Sequence, residues 1–332
     1  MPSSNEELAD QLIQAGSRIA PLLEELFPPE NQDYLSTPFW HHMRTGGKRI
    51  RPALCLLCCE EMGGDSEKAL HFAAAVEILH NMLLVHDDLE DGDRVRRDAP
   101  TVWVEFGVEN AVNLGDYMLG RAYSTIQDSP LPGETILRLM RAFTRAYEHT
   151  CQGQALDLNR RGHADLTVEQ YLEMVRRKTG DYLTLGMVGG AIVAGLSAEG
   201  VDSIRELGGN MGPAFQVRDD VIDLTRGKGR GGALGNDIKE GKPSILYAHA
   251  LSEAGDQERE RLLEIIRKNR DRTTDEDVEW TISLYERVGS LDFARRTADS
   301  LVEHSFQTIA RIPVENKGFF RRIARFMADR TT

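Results

Sequence analysis

The chain has 332 residues, 41% hydrophobic and 28% charged, with 40 lysines and arginines against 53 aspartates and glutamates. The net charge of −13 excludes a general nucleic-acid binder, because a phosphate backbone is held by a basic surface. The composition excludes overall disorder, and four cysteines do not make a disulfide framework in this length.

In chain order, the start Met1-Pro2-Ser3-Ser4-Asn5-Glu6-Glu7 lacks the basic-then-apolar pattern of a signal peptide. No apolar run reaches the roughly 20 residues that span a bilayer. These features read as a cytoplasmic protein without stable membrane insertion. Leu8, Leu12, Ile13, Ile19, Leu22, Leu23 and Leu26 recur at helical spacing. Gly46-Gly47-Lys48-Arg49-Ile50-Arg51-Pro52 is a Gly-led turn followed by three cations. Cys55, Cys58 and Cys59 lie in the apolar run Leu54 to Cys59 and read as buried small hydrophobes rather than metal ligands.

Ala69 to Leu89 is a long Ala- and Leu-rich helical segment that runs into His86-Asp87-Asp88-Leu89-Glu90-Asp91. Asp91-x-Asp93 hints at a calcium loop, but Val95 and Arg96 stand where its next ligand and glycine belong. Arg96-Arg97 follows. Thr101 to Val104 is the best strand-like stretch and is too short to build a sheet. Helical patterns resume over Thr135–Leu158, Glu169–Val193, Val201–Leu224 and Leu291–Ile309. The second contains Lys178-Thr179-Gly180. The third ends in Gln216-Val217-Arg218-Asp219-Asp220-Val221-Ile222-Asp223. Gly227 to Gly232 satisfies G-x-G-x-x-G, but a helical acidic segment precedes it where a dinucleotide fingerprint needs a strand. The chain reads as one all-α domain over residues 1–332, of roughly a dozen helices.

The two D-D-x-x-D triplets carry chemistry. On a helix turning about 100° per residue, positions i, i+1 and i+4 fall within about 100° of arc. Each triplet therefore projects three carboxylates from one face. Crowded carboxylates repel unless a cation sits among them, and a hard divalent ion such as Mg²⁺ suits oxygen ligands. Lys48, Arg49, Arg51, Arg96, Arg97, Lys178, Lys239 and Lys242 stand near these acids in sequence. Carboxylates for the metal beside cations for the remaining oxygens suit a diphosphate.

These motifs resemble the trans-type isoprenyl diphosphate synthases, the polyprenyl synthase family. They are GGKRIRP at 46–52, HDDLED at 86–91 with RR at 96–97, GQALDL at 153–158, KTG at 178–180, FQVRDDVID at 215–223 and GNDIKEGKP at 235–243. The resemblance implies a single-domain all-α bundle around a deep central cavity, acting as a homodimer. It implies a trans-prenyltransferase that joins isopentenyl diphosphate head to tail to an allylic diphosphate with Mg²⁺, three ions when substrate is bound. Asp87, Asp88, Asp91, Asp219, Asp220 and Asp223 would hold the metal, with Asp237 close by and Gln154 and Asp157 in the metal-side wall. Arg96, Lys178 and Lys242 would bind the allylic diphosphate. Lys48, Arg51, His80 and Arg97 would bind isopentenyl diphosphate, and Thr179 and Gln216 would place oxygen dipoles near the allylic cation.

Three departures stand out. The lysine usual four or five residues before Asp237 is replaced by Gly232 and Ala233, with Lys228 or Arg230 as substitutes. After Arg97 the chain reads Asp98-Ala99-Pro100-Thr101, where a glycine and a basic residue are common. Arg218 precedes the second acid pair. For product length, Leu79, Met82 and Leu83 lie one and two turns before Asp87. None is aromatic, and Met82 resembles the pattern of geranylgeranyl-forming members, so a C20 product is expected, with C15 or C25 and longer as the alternatives. A class I terpene cyclase would lack GGKRIRP, and a noncatalytic synthase subunit would lose an acidic motif; this chain keeps both features.

Overall fold

A computed structural model describes residues 4–31, 33–225 and 234–328. It is 78% helical. Among the described residues there are seventeen α-helices, more than the dozen expected, and one two-residue ribbon, Val95–Arg96 with Ala99–Pro100. The extra helices are short ones that bracket the long segments, such as Val102–Phe106 and Asn236–Lys239. The chain contacts divide into two compact units. One holds residues up to 145, 184–204 and 313–316; the other holds 146–183, 205–312 and the chain from 317.

The first unit is built on the Leu70–Glu90 helix, where Phe72 to Leu79 are buried in unbroken succession. A helix apolar all round belongs in a core. The Ser66–Glu90 stretch is long and apolar enough to cross a membrane, yet 67% of its apolar window is buried in the structure. The Ile50–Glu61 helix packs close to residues 184–193 through two glycines. A Cβ on Gly186 would lie 2.3 Å from the Arg51 carbonyl oxygen, and one on Gly190 would lie 2.3 Å from that of Cys55. Cys55, Cys58 and Cys59 are buried in this unit and are free thiols, with their pKa values pushed up by burial. They are core residues, as their apolar run predicts.

The first acidic triplet ends its helix at a Schellman stop. Gly92 has φ 67°, its N–H donates to the Leu89 carbonyl, and the Asp93 N–H donates to that of Asp88. Asp91-x-Asp93 is therefore a helix cap. The Val95–Pro100 ribbon then turns through Arg97 and Asp98 at φ 50° and 64°. Two left-handed residues are the demand of a tight hairpin, which is why a glycine would suit the position after the arginines. Asp tolerates that region better than most residues. The strand-like stretch Thr101–Val104 builds no strand and runs into the helix Val102–Phe106. Its Trp103 indole donates to the carbonyls of Asp88 and Asp93 at 3.1 and 2.8 Å, so burying the ring against the acidic helix end overrides local β propensity.

Behind this helix end lies a buried polar chain. Asn81 donates to the Glu77 carbonyl and carboxylate, so its own oxygen accepts from His42 Nε2 at 3.1 Å. Burial, with Arg96 next, pushes His42 down to about 3 from an ordinary 6.5. The folded protein thus refuses a proton that the unfolded chain accepts below pH 6.5. Stability should fall as pH drops from that value toward 3, by up to about 1.4 kcal/mol per pH unit from this group. Urea unfolding at pH 7 and pH 5 should show a smaller loss in His42→Gln than in the wild type; an equal loss contradicts the assignment.

In the second unit, the segment expected as one helix over Glu169–Val193 is interrupted. The Val168–Val175 helix opens with a capping box between Thr167 and Gln170, and a π-turn spans Arg176–Gly180 before Asp181–Val193. The π-turn coincides with Lys178-Thr179-Gly180, and such turns recur at functional sites. Tyr171, Tyr247, Tyr285, Ile245 and Leu262 form the heart of this unit's core.

Candidate active site

The first unit assembles a cationic group and an acidic one. Arg51 Nη1 lies 3.4 Å from His80 Nε2. Arginine can only donate, so this nitrogen of His80 accepts and its proton sits on Nδ1. Burial and the neighbouring Arg51 hold the imidazole well below its ordinary pKa, which keeps it neutral. The Arg97 guanidinium stands over Gly47, where a Cβ would approach Nη1 to 3.1 Å. Lys48 is exposed on the same turn. That turn is strained at Arg49, φ 45°, the residue before the Ile50–Glu61 helix. The structure therefore brings Arg51, His80, Arg97 and the glycine turn together.

Asp88 is 1% exposed, and the Arg96 guanidinium grips it from Nη2 at 2.5 Å and from Nε at 2.7 Å. Burial still raises the Asp88 pKa against Arg96, and Asp93 and Asp87 add to the rise. Asp91 is buried and Asp87 half-buried beside it. Leu83, one turn before Asp87, is half-buried, whereas Leu79 and Met82 are 0% and 1% exposed.

The second unit holds its lysines by acids. Lys178 Nζ lies 2.5 Å from Asp157 Oδ2, on the Gly133–Arg160 helix that also carries Gln154. Gly153, one turn earlier, is where the π-turn lies against that helix. Thr179 is buried in the π-turn. Lys242 pairs with the buried Glu240 at 2.7 Å, and Arg270 reaches the same carboxylate at 3.3 Å. Asp220, Asp223, Asp237, Lys242 and Ser244 line one small cleft. Asp223 accepts from the Asp237 N–H at 3.1 Å. Asp220 accepts from the Tyr171 hydroxyl at 2.7 Å, the Ile245 N–H at 3.1 Å and Gln216 Nε2 at 3.2 Å. Asp219 is half-buried. Sequence reasoning missed Tyr171, Glu240 and Arg270. The signal for Glu240 was there, an acid two residues from Lys242 in the GNDIKEGKP motif. Lys228, Arg230, Gly232 and Ala233 lie outside the described residues.

Among the described residues, no three His, Cys, Asp or Glu side chains converge closely enough to hold a metal as arranged. Asp88 is turned to Arg96 and Asp220 to Tyr171. The donor set nevertheless fits magnesium. It is carboxylate oxygen alone at both helix ends, and a cation among the acids would offset the burial, and the neighbouring Asp93 and Asp87, that raise the Asp88 pKa.

The polyprenyl synthetase family pattern matches residues 32–285. A geranylgeranyl diphosphate synthase of Saccharolobus solfataricus is 33% identical over 88% of this chain and 88% of its own. A geranylfarnesyl diphosphate synthase of Aeropyrum pernix is 33% identical over 90% of this chain and 95% of its own. The crystal structure of a geranylgeranyl pyrophosphate synthetase from Pyrococcus horikoshii superposes with TM-score 0.90 at 31% identity, covering 99% of this chain and 100% of that one. With six motifs in order, the helical architecture and these likenesses, the chain belongs to the polyprenyl synthetase family.

Proposed function

We propose that this trans-prenyltransferase adds isopentenyl diphosphate head to tail to an allylic diphosphate and stops at an all-trans C20 product. The observation that carries the reaction is the Arg51–His80–Arg97 group, a second diphosphate site that a terpene cyclase does not need. His80 is neutral there, so its Nδ1–H is a donor for a phosphate oxygen. Lys48 adds a fourth contact from the glycine turn.

Asp87, Asp88, Asp91, Asp219 and Asp223 would hold magnesium, three ions with substrate bound. Magnesium, when bound, stabilises the charge that develops on the departing diphosphate. Arg96, Lys178 and Lys242 bind and neutralise that diphosphate while its carbon–oxygen bond breaks. The isopentenyl double bond then attacks the allylic carbon. The new bond leaves a cation that loses a proton to the released diphosphate. Thr179 and Gln216 turn oxygen dipoles toward the cation, and the apolar side chains of the Leu70–Glu90 helix exclude water. Asp157 and Glu240 hold Lys178 and Lys242 in place.

The names of the relatives include both C20 and C25 producers, so chain length rests on Leu79, Met82 and Leu83. None is aromatic. Met82→Phe and Leu83→Phe should each shorten the product toward C15, read by chromatography of the dephosphorylated products from C5, C10 and C15 primers. An unchanged distribution in both variants discards this floor.

The enzyme works as a homodimer in this reading, in the cytoplasm and without stable membrane insertion. Support for the first comes from Val108 and Val112, 45% and 41% exposed one turn apart on the Val108–Gln127 helix. Support for the last is the buried setting of the apolar Ser66–Glu90 stretch.

A further inference from the structure

We propose that Tyr171 is a positioning residue for the carbocation step, acting through Asp220 to fix which end of the Gln216 amide faces the substrate. The inference rests on the function proposed above.

Tyr171 is fully buried in the core of the second unit, yet its hydroxyl is aimed at one atom, Asp220 Oδ2, at 2.7 Å. The Ile245 N–H donates to the same oxygen at 3.1 Å. The other oxygen, Oδ1, accepts from Gln216 Nε2 at 3.2 Å. Asp220 is 4% exposed. Both oxygens of Asp220 accept, Oδ2 from Tyr171 and Ile245 and Oδ1 from Gln216 Nε2, so the amide of Gln216 offers its nitrogen to Asp220. Its carbonyl oxygen is thereby held on the side remote from Asp220, the orientation in which its negative end can serve a cation. A flipped amide would place two donor hydrogens there instead. The phenol makes this arrangement hold. Its O–H donates to Oδ2 and so fixes the rotamer of Asp220. Asp220 is on this account an orienting acid, while Asp219 and Asp223 remain the metal-facing members of the triplet.

A double-mutant cycle tests the relay, because pairwise coupling is what the geometry asserts. Tyr171→Phe keeps the ring and removes one hydroxyl. It should lower kcat about tenfold, with KM for isopentenyl diphosphate and the half-saturating magnesium concentration unchanged. In the Gln216→Ala background the same change should lower kcat by less than about twofold. Asp220→Asn provides a second variant. It keeps an oxygen for Tyr171 and Ile245 but presents an N–H to Gln216, so it should turn the amide over and match the kcat loss of Gln216→Ala.

Equal kcat losses from Tyr171→Phe in both backgrounds overturn the relay, as does a raised magnesium requirement with kcat intact at saturation. An absence of prenyl transfer by the wild type overturns the function reading and the relay together, which separates that failure from a failure of the relay alone.

Discussion

Gly153→Ala should lower kcat/KM by at least about a hundredfold, although it adds one methyl group. That methyl would lie 2.2 Å from the Lys178 nitrogen and 2.4 Å from its Cα, so backbone must move. The π-turn has little room to yield. Its entry continues directly from the Val168–Val175 helix, whose start is fixed by the Thr167–Gln170 capping box. Its exit, Gly180, sits where a Cβ on Gly212 would come within 2.8 Å of the Gly180 Cα. A shift of about 1 Å in the turn carries Lys178 away from Asp157 and from the diphosphate it is proposed to bind. Overpacking should also cost about 1–3 kcal/mol of stability. Gly209→Ala is the matched control, because nothing lies within 4 Å of a Cβ there. Located inside the Ala198–Thr225 helix, it should be neutral or stabilising by up to about 1 kcal/mol. A Gly153→Ala enzyme with wild-type kinetics would show that the two helices separate freely.

The second large effect is at Asp88. Asp88→Asn should remove activity and cost about 3–5 kcal/mol of stability, because it strips the countercharge from Arg96 in a setting where the two side chains are 1% and 14% exposed. The two losses have different causes, and a second substitution separates them. Adding Arg96→Met removes the uncompensated cation and should recover most of the stability by thermal unfolding. It should recover no activity, since the double variant lacks both an acid proposed to hold magnesium and a cation proposed to bind the diphosphate. Recovered turnover in the double variant would mean that Asp88 serves only to neutralise Arg96.

The parts legible in the sequence were those whose chemistry is local. The acid triplets, the glycine turn at 46–47 and the arginine pair at 96–97 each sit in a few consecutive residues, and helical spacing alone says which side chains share a face. The fold class followed from the same spacing. What was not legible depends on packing between distant segments. Gly153 looks like any helical glycine until Lys178 is placed against it. Tyr171 reads as a core aromatic, which it is, and its hydrogen bond to Asp220 spans 49 positions. The π-turn at Arg176–Gly180 has no signature in hydrophobic periodicity. Thr101 to Val104 shows the reverse case, because its β-branched residues are strand-like where the Trp103 clamp imposes a helix.

The most direct measurement of the proposed reaction is isopentenyl consumption by the purified chain with magnesium, with and without an allylic primer. Primer-dependent consumption that ends at a C20 diphosphate, and that is lost in Arg51→Ala while the protein stays folded, is the predicted result. Turnover of an allylic diphosphate without isopentenyl consumption would contradict it, and would assign the acidic helices to a different chemistry.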